Sequence, residues 1–430
     1  FFSQDGIYRA NTDDYQRGNF RAKGSIKIKP WLSIDNNFDM MHKTYHYPLI
    51  SYDQTLNIQR NMEQQGFPMA VMYNPDGSLT YSAVYCAVGD FYNESSYQDQ
   101  TTLQYKNTFG VNITPIKDVL KFRGDFTYVN TAYKRNRVLN YVPYSTGPEQ
   151  FAEKGKSLMM DNKDETRYMA ANLNGTWTPK LGENHALSVM GGWNLETSNK
   201  DTFYSERDGF LFPDRPNYDL MDGLNYKLEQ GDKNWSYIGV FYRLNYGYKG
   251  RYLIETSGRY DGSSKFPVNE MWGPSASAAW RISEEKFMEG TRSWLDNLKL
   301  RFSVGALGNG NVDPYKFLPT MSIDKTGVIV GDGQVNYTSY PGLIPNNLTW
   351  EKVTTYDVDM FKNRLTIGFD WYRRNTTDMY TVGPTLPEVL GTTQPKGNYA
   401  NLKTKGWELI LSWRDNFKLA GSDFHYGVKF

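Results

Sequence analysis

The sequence predicts an all-β fold, a large transmembrane antiparallel β-barrel, and three observations lead to this prediction. The 430 residues include 33 Tyr, 23 Phe, 11 Trp and 38 Gly, a composition typical of many strands joined by tight turns. Apolar and polar residues alternate with a period of two along most of the chain. The connections between the predicted strands are short and long in turn, which places the long ones on one side of the sheet.

The alternation is clearest in segment 298–306, where Leu300, Phe302 and Val304 alternate with Arg301 and its polar neighbours. Such a pattern predicts a strand with one apolar and one polar face. About fourteen strands of this kind can be marked along the chain. Several of them are close to the roughly 9–11 residues that a tilted strand needs to cross a bilayer, so their lengths also favour membrane spans.

The order of the connections separates a membrane barrel from a soluble sheet. The short connections are 29–31, 114–118, 248–251 and 361–363. The long connections are 42–101, 133–165, 198–233, 308–347 and 375–403. A soluble β-sandwich also alternates apolar and polar residues, but it seldom places its long loops on one side alone. We therefore favour the barrel and keep a soluble carbohydrate-active β protein as the alternative.

Charge, cysteine and histidine usage exclude several classes of protein. The 48 basic and 47 acidic residues are well mixed, so a nucleic-acid binder is not expected. The single cysteine, Cys86, allows no intrachain disulfide framework. His42 and His46 are four residues apart, but no third ligand follows, and no metal site is predicted. No cofactor motif or catalytic constellation can be assigned, and we do not expect an enzyme.

Two segments follow distinctive patterns: Arg259–Phe266 fits R-x-D-G-S-S-[RK]-F, and Pro274–Phe287 fits P-S-x-S-x-A-W-R-[IL]-S-E-E-x-F. With these patterns the chain resembles the SusC/RagA-like TonB-linked outer-membrane proteins of Bacteroidetes. Three shorter matches follow in family order at Leu298–Asn309, Asn347–Lys352 and Asn401–Leu409. Lys405 departs from the family, which commonly has a small or polar residue there. The resemblance is sharp over about residues 234–414 and architectural before them.

This resemblance implies a 22-stranded barrel of which residues 1–430 form a central part with long extracellular loops. The N-terminal plug domain and the contact with TonB would precede the chain, and the last strands would follow it. The family implies active import of oligosaccharides across the outer membrane together with a SusD-like surface lipoprotein, often as a dimer of such pairs. Import of oligopeptides by the same mechanism stays open, and a passive porin or surface adhesin is a further alternative.

Two groups of residues are predicted to carry this function. Aromatic rings in the long connections stack on sugars through apolar CH contacts, although most are expected to pack against other loops or the lipoprotein. The substrate-binding candidates are Tyr73, Tyr81, Tyr85, Phe91, Tyr92, Phe203, Tyr204 and Phe210. The candidates for contact with the lumen or the plug are Arg243, Arg259, Arg301 and Asp370.

Overall fold

One antiparallel sheet of fifteen strands dominates the computed structural model. The structure describes residues 1–6, 13–52, 58–94, 96–267, 270–291, 297–339, 341, 343–344, 348–361, 365–390, 394–419 and 422–430. Each strand of the sheet pairs with the strands before and after it in chain order, so the sheet is a simple meander apart from two inserted hairpins. The predicted all-β antiparallel fold is confirmed, with fifteen sheet strands where about fourteen were expected.

The strands of the sheet are β1 (Phe2–Asp5), β2 (Asp14–Lys29), β3 (Leu32–Pro48), β4 (Tyr97–Ile116), β5 (Leu120–Leu139), β8 (Leu158–Trp177), β9 (His185–Asp208), β10 (Tyr226–Tyr248), β11 (Tyr252–Ser263), β12 (Glu270–Arg281), β13 (Lys299–Asn309), β16 (Glu351–Phe361), β17 (Leu365–Val382), β18 (Lys396–Leu419) and β19 (Ser422–Lys429). The inserted hairpins are β6 (Val142–Gly147) with β7 (Gln150–Lys154), and β14 (Ile323–Val330) with β15 (Gly333–Thr338). Three short helices follow β3: α1 (Ile58–Gln65), α2 (Tyr81–Tyr85) and α3 (Val88–Asn93). In the described part of the chain, no helix is long and apolar enough to cross a membrane.

The sheet has one apolar and one polar face, because successive side chains of a strand point to opposite sides. One line of paired residues shows the apolar face. It runs through Ile26, Ile34, Val111, Gly124, Leu173, Trp193, Val240, Tyr260 and Trp272. Several of these side chains are largely exposed, Val240 at 56% and Leu173 at 54%. Such a continuous apolar surface suits hydrocarbon much better than water.

The alternation of short and long connections is present, with two exceptions. The chain turns within 30–31, 117–119, 178–184 and 249–251 at one end of the sheet, and 49–96, 140–157, 209–225 and 310–350 lie at the other end. The exceptions are 264–269, which is short at the long end, and 282–298, which is longer at the short end.

Four of the five predicted long connections are too long, because the strands continue into them, while the predicted 308–347 is shifted to 310–350. Strand β9 ends at Asp208 and β10 begins at Tyr226, so only 209–225 remain of the predicted loop 198–233. Lys200 pairs with Lys233 in this extension. Here most residues on both faces of the sheet are polar, so the regular apolar period ends although the backbone ladder continues.

Buried apolar residues are concentrated among the long connections. Leu49, Leu139, Leu158 and Met160 form one cluster. A second cluster comprises Phe266, Met271, Leu348 and Trp350, with Tyr237, Val312, Phe317 and Tyr380 packed against it. Because Met271 and Tyr237 lie on the polar face, this second cluster holds the connections against that face at the long end of the sheet.

Candidate functional site

A row of residues that pair from strand to strand crosses the middle of the polar face. It is offset by one residue along each strand from the apolar row on the other face. Its paired positions are Asp35, Gly110, Asp125, Asn172, Asn194, Gly239 and Asp261. With Asn112, Arg123 and Arg259 from the adjacent line of the same face, these residues form what we call the polar belt. The belt runs from β3 to β11.

Arg123 joins three carboxylate and amide side chains at one end of the belt. Its guanidinium donates to Asp35 at 3.1 Å and to the side-chain oxygen of Asn112 at 2.8 Å. Its Nε lies 3.5 Å from Asp125. Gly110 leaves room for this group, since a Cβ there would lie 2.6 Å from Asp35 Oδ2. A larger residue at Gly110 would displace the Asp35 carboxylate from its partner.

Arg259 forms the corresponding group at the other end of the belt. Its Nε donates to both oxygens of Asp261, at 2.6 and 2.8 Å, and its Nη2 donates to Asn194. Gly239 again clears the space, because a Cβ at that position would overlap with the side chains of Asp261 and Arg259. The belt therefore depends on glycines as much as on its charged groups.

The four predicted lumen or plug residues all lie on the polar face. Arg243 pairs with Glu255 at 2.8 Å, and Arg259 belongs to the belt. Arg301 of β13 pairs with Asp359 of β16, which pairs in turn with Asp370 of β17. Asp370 Oδ1 has no hydrogen-bond partner in the described part of the chain. The structure thus brings these residues to one surface, and their contact with a lumen or plug stays a prediction.

Four of the predicted aromatic residues are exposed in the connection between β3 and β4. Tyr73, Tyr81, Tyr85 and Tyr92 are 39–56% exposed. Thr80 caps α2 by accepting from the Ala83 N–H at 3.1 Å, and this places Tyr81 and Tyr85 on one side of that helix. Each of these four rings keeps part of its surface exposed, and their contact with a substrate stays a prediction.

Phe91 is buried, unlike the four exposed tyrosines of the same connection. Only 6% of its surface is exposed, because the ring packs with Ile50, Ile58 and Ala87. A ring enclosed in this way holds the connection together and cannot cover a sugar.

Phe203 and Tyr204 lie in strand β9 and not in a loop as predicted, because β9 extends to Asp208. Tyr204 packs against the Leu49 cluster and donates to Glu206. Phe203, its neighbour in the strand, is 40% exposed. Phe210 follows the strand and forms an isolated bridge with Met221. Phe203 lies on the apolar face, like Trp193 of the same strand, so its exposed surface is turned away from the polar face.

A lysine over the tyrosine rings and a buried carboxyl group nearby were not predicted. Lys154 of β7 lies over the rings of Tyr52, Tyr81 and Tyr85, at 4.3, 5.2 and 4.7 Å from their centroids. Asp90 of α3 is 1% exposed and accepts from the Ser51 N–H at 2.6 Å. Burial raises the pKa of Asp90 to about 6 and lowers the pKa of Lys154. The sequence feature that could have indicated this site is an acidic residue within a short apolar segment.

The described residues contain no group of three or more His, Cys, Asp or Glu side chains arranged to hold a metal ion. His46 lies on the apolar-face side of β3, where its Nδ1 is 2.7 Å from Asp99. The candidate site is an extended polar surface bordered by connections that carry exposed aromatic rings.

Comparison with known proteins agrees with this architecture. The family described as "TonB dependent receptor-like, beta-barrel" matches residues 30–429. The chain is 26% identical to TonB-dependent receptor P26 of Formosa agariphila over 96% of its own length and 41% of that protein. It is 37% identical to TonB-dependent receptor SusC of Bacteroides thetaiotaomicron over 63% of its length and 27% of that protein.

Solved structures share the fold at lower identity. The RagAB peptide importer in the "open-open" state matches with a TM-score of 0.73 and 20% identity, over 99% of this chain and 47% of that one. The outer-membrane transporter YddB from Escherichia coli matches with a TM-score of 0.58 and 9% identity. The chain spans less than half the length of the relatives and structures compared here.

Proposed function

Since the chain belongs to the TonB-dependent receptor-like β-barrel family of the outer membrane, we propose that it forms part of the wall of an active nutrient importer. The resemblance to SusC/RagA-like proteins noted in the sequence is confirmed. One observation carries the proposal. The row of paired residues through Val240 lies on one face of the sheet and is apolar. The neighbouring row, through Gly239, lies on the other face and is polar. Such a wall separates hydrocarbon from a hydrated lumen.

The polar belt supports a lumenal role for the polar face. Arg123 and Arg259 are held by carboxylates and amides of neighbouring strands, so their positions are defined before any ligand arrives. Hydrogen-bonding groups fixed in this way suit a hydrated passage or a removable plug. The plug, and the TonB contact that drives its movement, are proposed to lie in parts of the protein outside residues 1–430.

Oligosaccharides are the proposed cargo, with oligopeptides as the alternative. The exposed rings of Tyr73, Tyr81, Tyr85 and Tyr92 provide apolar surfaces for sugar rings, and amides of the polar face bind hydroxyl groups. A SusD-like lipoprotein is proposed to cover the long-connection end, where these rings lie. The whole assembly is proposed to be a dimer of transporter–lipoprotein pairs.

The test is a pull-down of the full-length gene product, carrying an affinity tag, from detergent-solubilised outer membranes. We expect a surface lipoprotein to be recovered with it, and deletion of the gene to abolish uptake of oligosaccharides by the cells. Uptake of oligopeptides alone would replace the proposed cargo. Recovery from the soluble fraction without a lipoprotein would contradict the importer and restore the soluble carbohydrate-active alternative.

A further inference from the structure

A pocket of about 490 Å³ lies on the polar face at the long-connection end of β8, β9 and β10. Its volume is within the roughly 300–1,000 Å³ of small-molecule sites. We call it the lysine pocket, since its wall contains five lysines. They are Lys200, Lys233, Lys265, Lys316 and Lys396. None of these residues belongs to the polar belt or to the predicted aromatic set.

The strands position the first two lysines. Thr166 of β8 pairs with Lys200 of β9, and Lys200 pairs with Lys233 of β10. Their side chains therefore stand side by side on one face. Trp235 lies two residues after Lys233, on the same face, and Lys265 is 4.9 Å from the centroid of its ring. The base of the pocket is thus part of the sheet.

The connection after β13 forms the opposite wall. The Tyr315 hydroxyl accepts from the Asn234 N–H at 2.9 Å, and the Tyr237 hydroxyl donates to the Gly310 carbonyl at 3.1 Å. Val312 and Phe317 pack against the buried cluster around Trp350. Lys316 is therefore carried by a segment attached at several points, so the pocket is a built feature of the fold.

The pocket has a large excess of positive charge. Asp313 is the one acidic residue in its described wall, against the five lysines. Lys200 is paired with Asp164 at 2.7 Å. For the other four lysines, no ion pair within 4.0 Å is found in the described part of the chain. Lys200 and Lys265, which lies over the Trp235 and Tyr237 rings, therefore have partners in the fold, whereas Lys233 stands beside a like charge, an arrangement that does not stabilise a sheet.

The geometry points to the lysine pocket as a binding site for carboxylate or sulfate groups on an oligosaccharide, an inference that rests on the proposed import of oligosaccharides. Ammonium groups form charge-assisted hydrogen bonds with such anions. Asn311 and Thr166 supply groups for sugar hydroxyls, and Trp235 and Tyr380 supply apolar ring surface. Strands β8, β9 and β10 are paired on both sides, so they offer no free edge to an extended peptide.

The test compares oligosaccharides that share a backbone and differ in charge. Size-matched dextran sulfate and dextran oligosaccharides are titrated into the full-length protein purified from outer membranes in detergent. The variant combines Lys233→Gln with Lys316→Gln, which removes one lysine from each wall. We expect the sulfated ligand to bind more tightly than dextran, and the double variant to bind it about tenfold more weakly. Binding of dextran should not change.

The matched control is Lys227→Gln on the same strand, because Lys227 pairs with Glu229 at 2.8 Å and lies outside the pocket wall. It should bind the sulfated ligand like the parent protein. Equal binding of both ligands, or equal losses in the control and the double variant, would overturn the lysine pocket.

Two further readouts separate the pocket from the proposed function. Cellular uptake of neutral oligosaccharides, together with charge-independent binding, would leave the importer intact and remove this inference. Lysine-dependent binding of a hexaglutamate peptide, without binding of either dextran, would contradict the oligosaccharide cargo and assign the pocket to acidic peptides. A Lys233→Gln/Lys316→Gln protein that keeps the heat-modifiable gel mobility of a folded barrel shows that any loss of binding is local.

Discussion

The polar belt and the lysine pocket share strands β8, β9 and β10, but the cations of the belt have acidic partners and, among the described residues, most of those in the pocket do not. In the belt, Arg123 and Arg259 each face carboxylates and amides, and glycines keep the spaces between them open. In the pocket, Lys233 stands beside Lys200, and one described acid accompanies five lysines. The strand pairing is equally regular in both regions.

The comparison indicates that the partners of a charged side chain, more than its position in the sheet, determine whether that side chain stabilises the fold. A paired cation in a sheet locks its neighbours and is costly to remove, because it leaves carboxylates without compensation. An unpaired cation at the mouth contributes little to the fold and is available to a ligand. Substitutions of buried or closely packed side chains should therefore have large effects on stability, and substitutions in the pocket should have small ones.

The largest effect is expected at Asp90, a buried carboxylate outside both regions. Its pKa is raised to about 6 by burial, so the folded state binds a proton more tightly than the unfolded state. Stability is therefore greatest below the usual pKa of aspartate, falls as the pH rises from about 4 to about 6, and stays low above. Asp90→Asn should stabilise the α2–α3 segment by about 3 kcal/mol at pH 7.5, with almost no gain at pH 4.

Hydrogen exchange of residues 81–93 in the full-length protein, corrected for intrinsic rates, measures this effect. Ser51, Tyr52 and Lys154 interact with Asp90 and are unchanged in the variant. The control is Asp76→Asn in the same connection, where bonds from Ser78 lower the pKa of the exposed carboxyl. Slower exchange in both variants at pH 7.5 would show that the gain does not come from burial of Asp90.

Gly192 tests the packing of the belt. A Cβ there would overlap with the Phe241 ring and lie 2.8 Å from the Leu173 carbonyl oxygen, which the strand cannot easily move. Gly192→Ala should destabilise the barrel by about 1–3 kcal/mol. Gly191→Ala, on the opposite face of the same strand, should be neutral, since the nearest atom to its Cβ is 4.0 Å away. The temperature at which the folded gel band is lost measures both, and equal losses would mean that strand propensity dominates.

Arg123 tests whether the ion pairs of the belt stabilise the barrel. Arg123→Gln leaves Asp35 and Asp125 without a cation, and we expect a loss of about 1 kcal/mol because the guanidinium is 39% exposed. Arg167→Gln is the control, as that arginine pairs with Asp201 in a more exposed setting. Its loss should be smaller, and the same thermal assay compares the two. A loss at Arg167 as large as that at Arg123 would remove the distinction between belt and surface pairs.

The sequence predicted the antiparallel sheet and its two faces well, because a period of two in hydrophobicity follows directly from strand geometry. Segment 298–306 became β13, with Arg301 on the polar face as expected from the alternation. The strand extensions were missed. Residues 198–208 are mostly polar and their two aromatic residues, Phe203 and Tyr204, are adjacent, so no apolar alternation separates this paired strand from a loop.

The site was less predictable, since its parts meet through register and loop packing. Asp35 and Arg123 are 88 residues apart and become neighbours only because β3, β4 and β5 pair as they do. The lysine pocket combines Lys200, Lys233 and Lys316 from two strands and a folded connection. A single aromatic residue in a connection also says little about its burial, as Phe91 shows.

The smallest effect on stability is expected in the lysine pocket. Lys233→Gln removes a positive charge beside Lys200, whose own charge is partly neutralised by Asp164, so the barrel should be unchanged or more stable by at most about 0.5 kcal/mol. The gain should disappear in high salt, because salt screens the repulsion between exposed lysines. Thermal loss of the folded band at low and high ionic strength measures this. A clear loss of stability would mean that Lys233 has a structural partner, and the contrast between the belt and the pocket would fail.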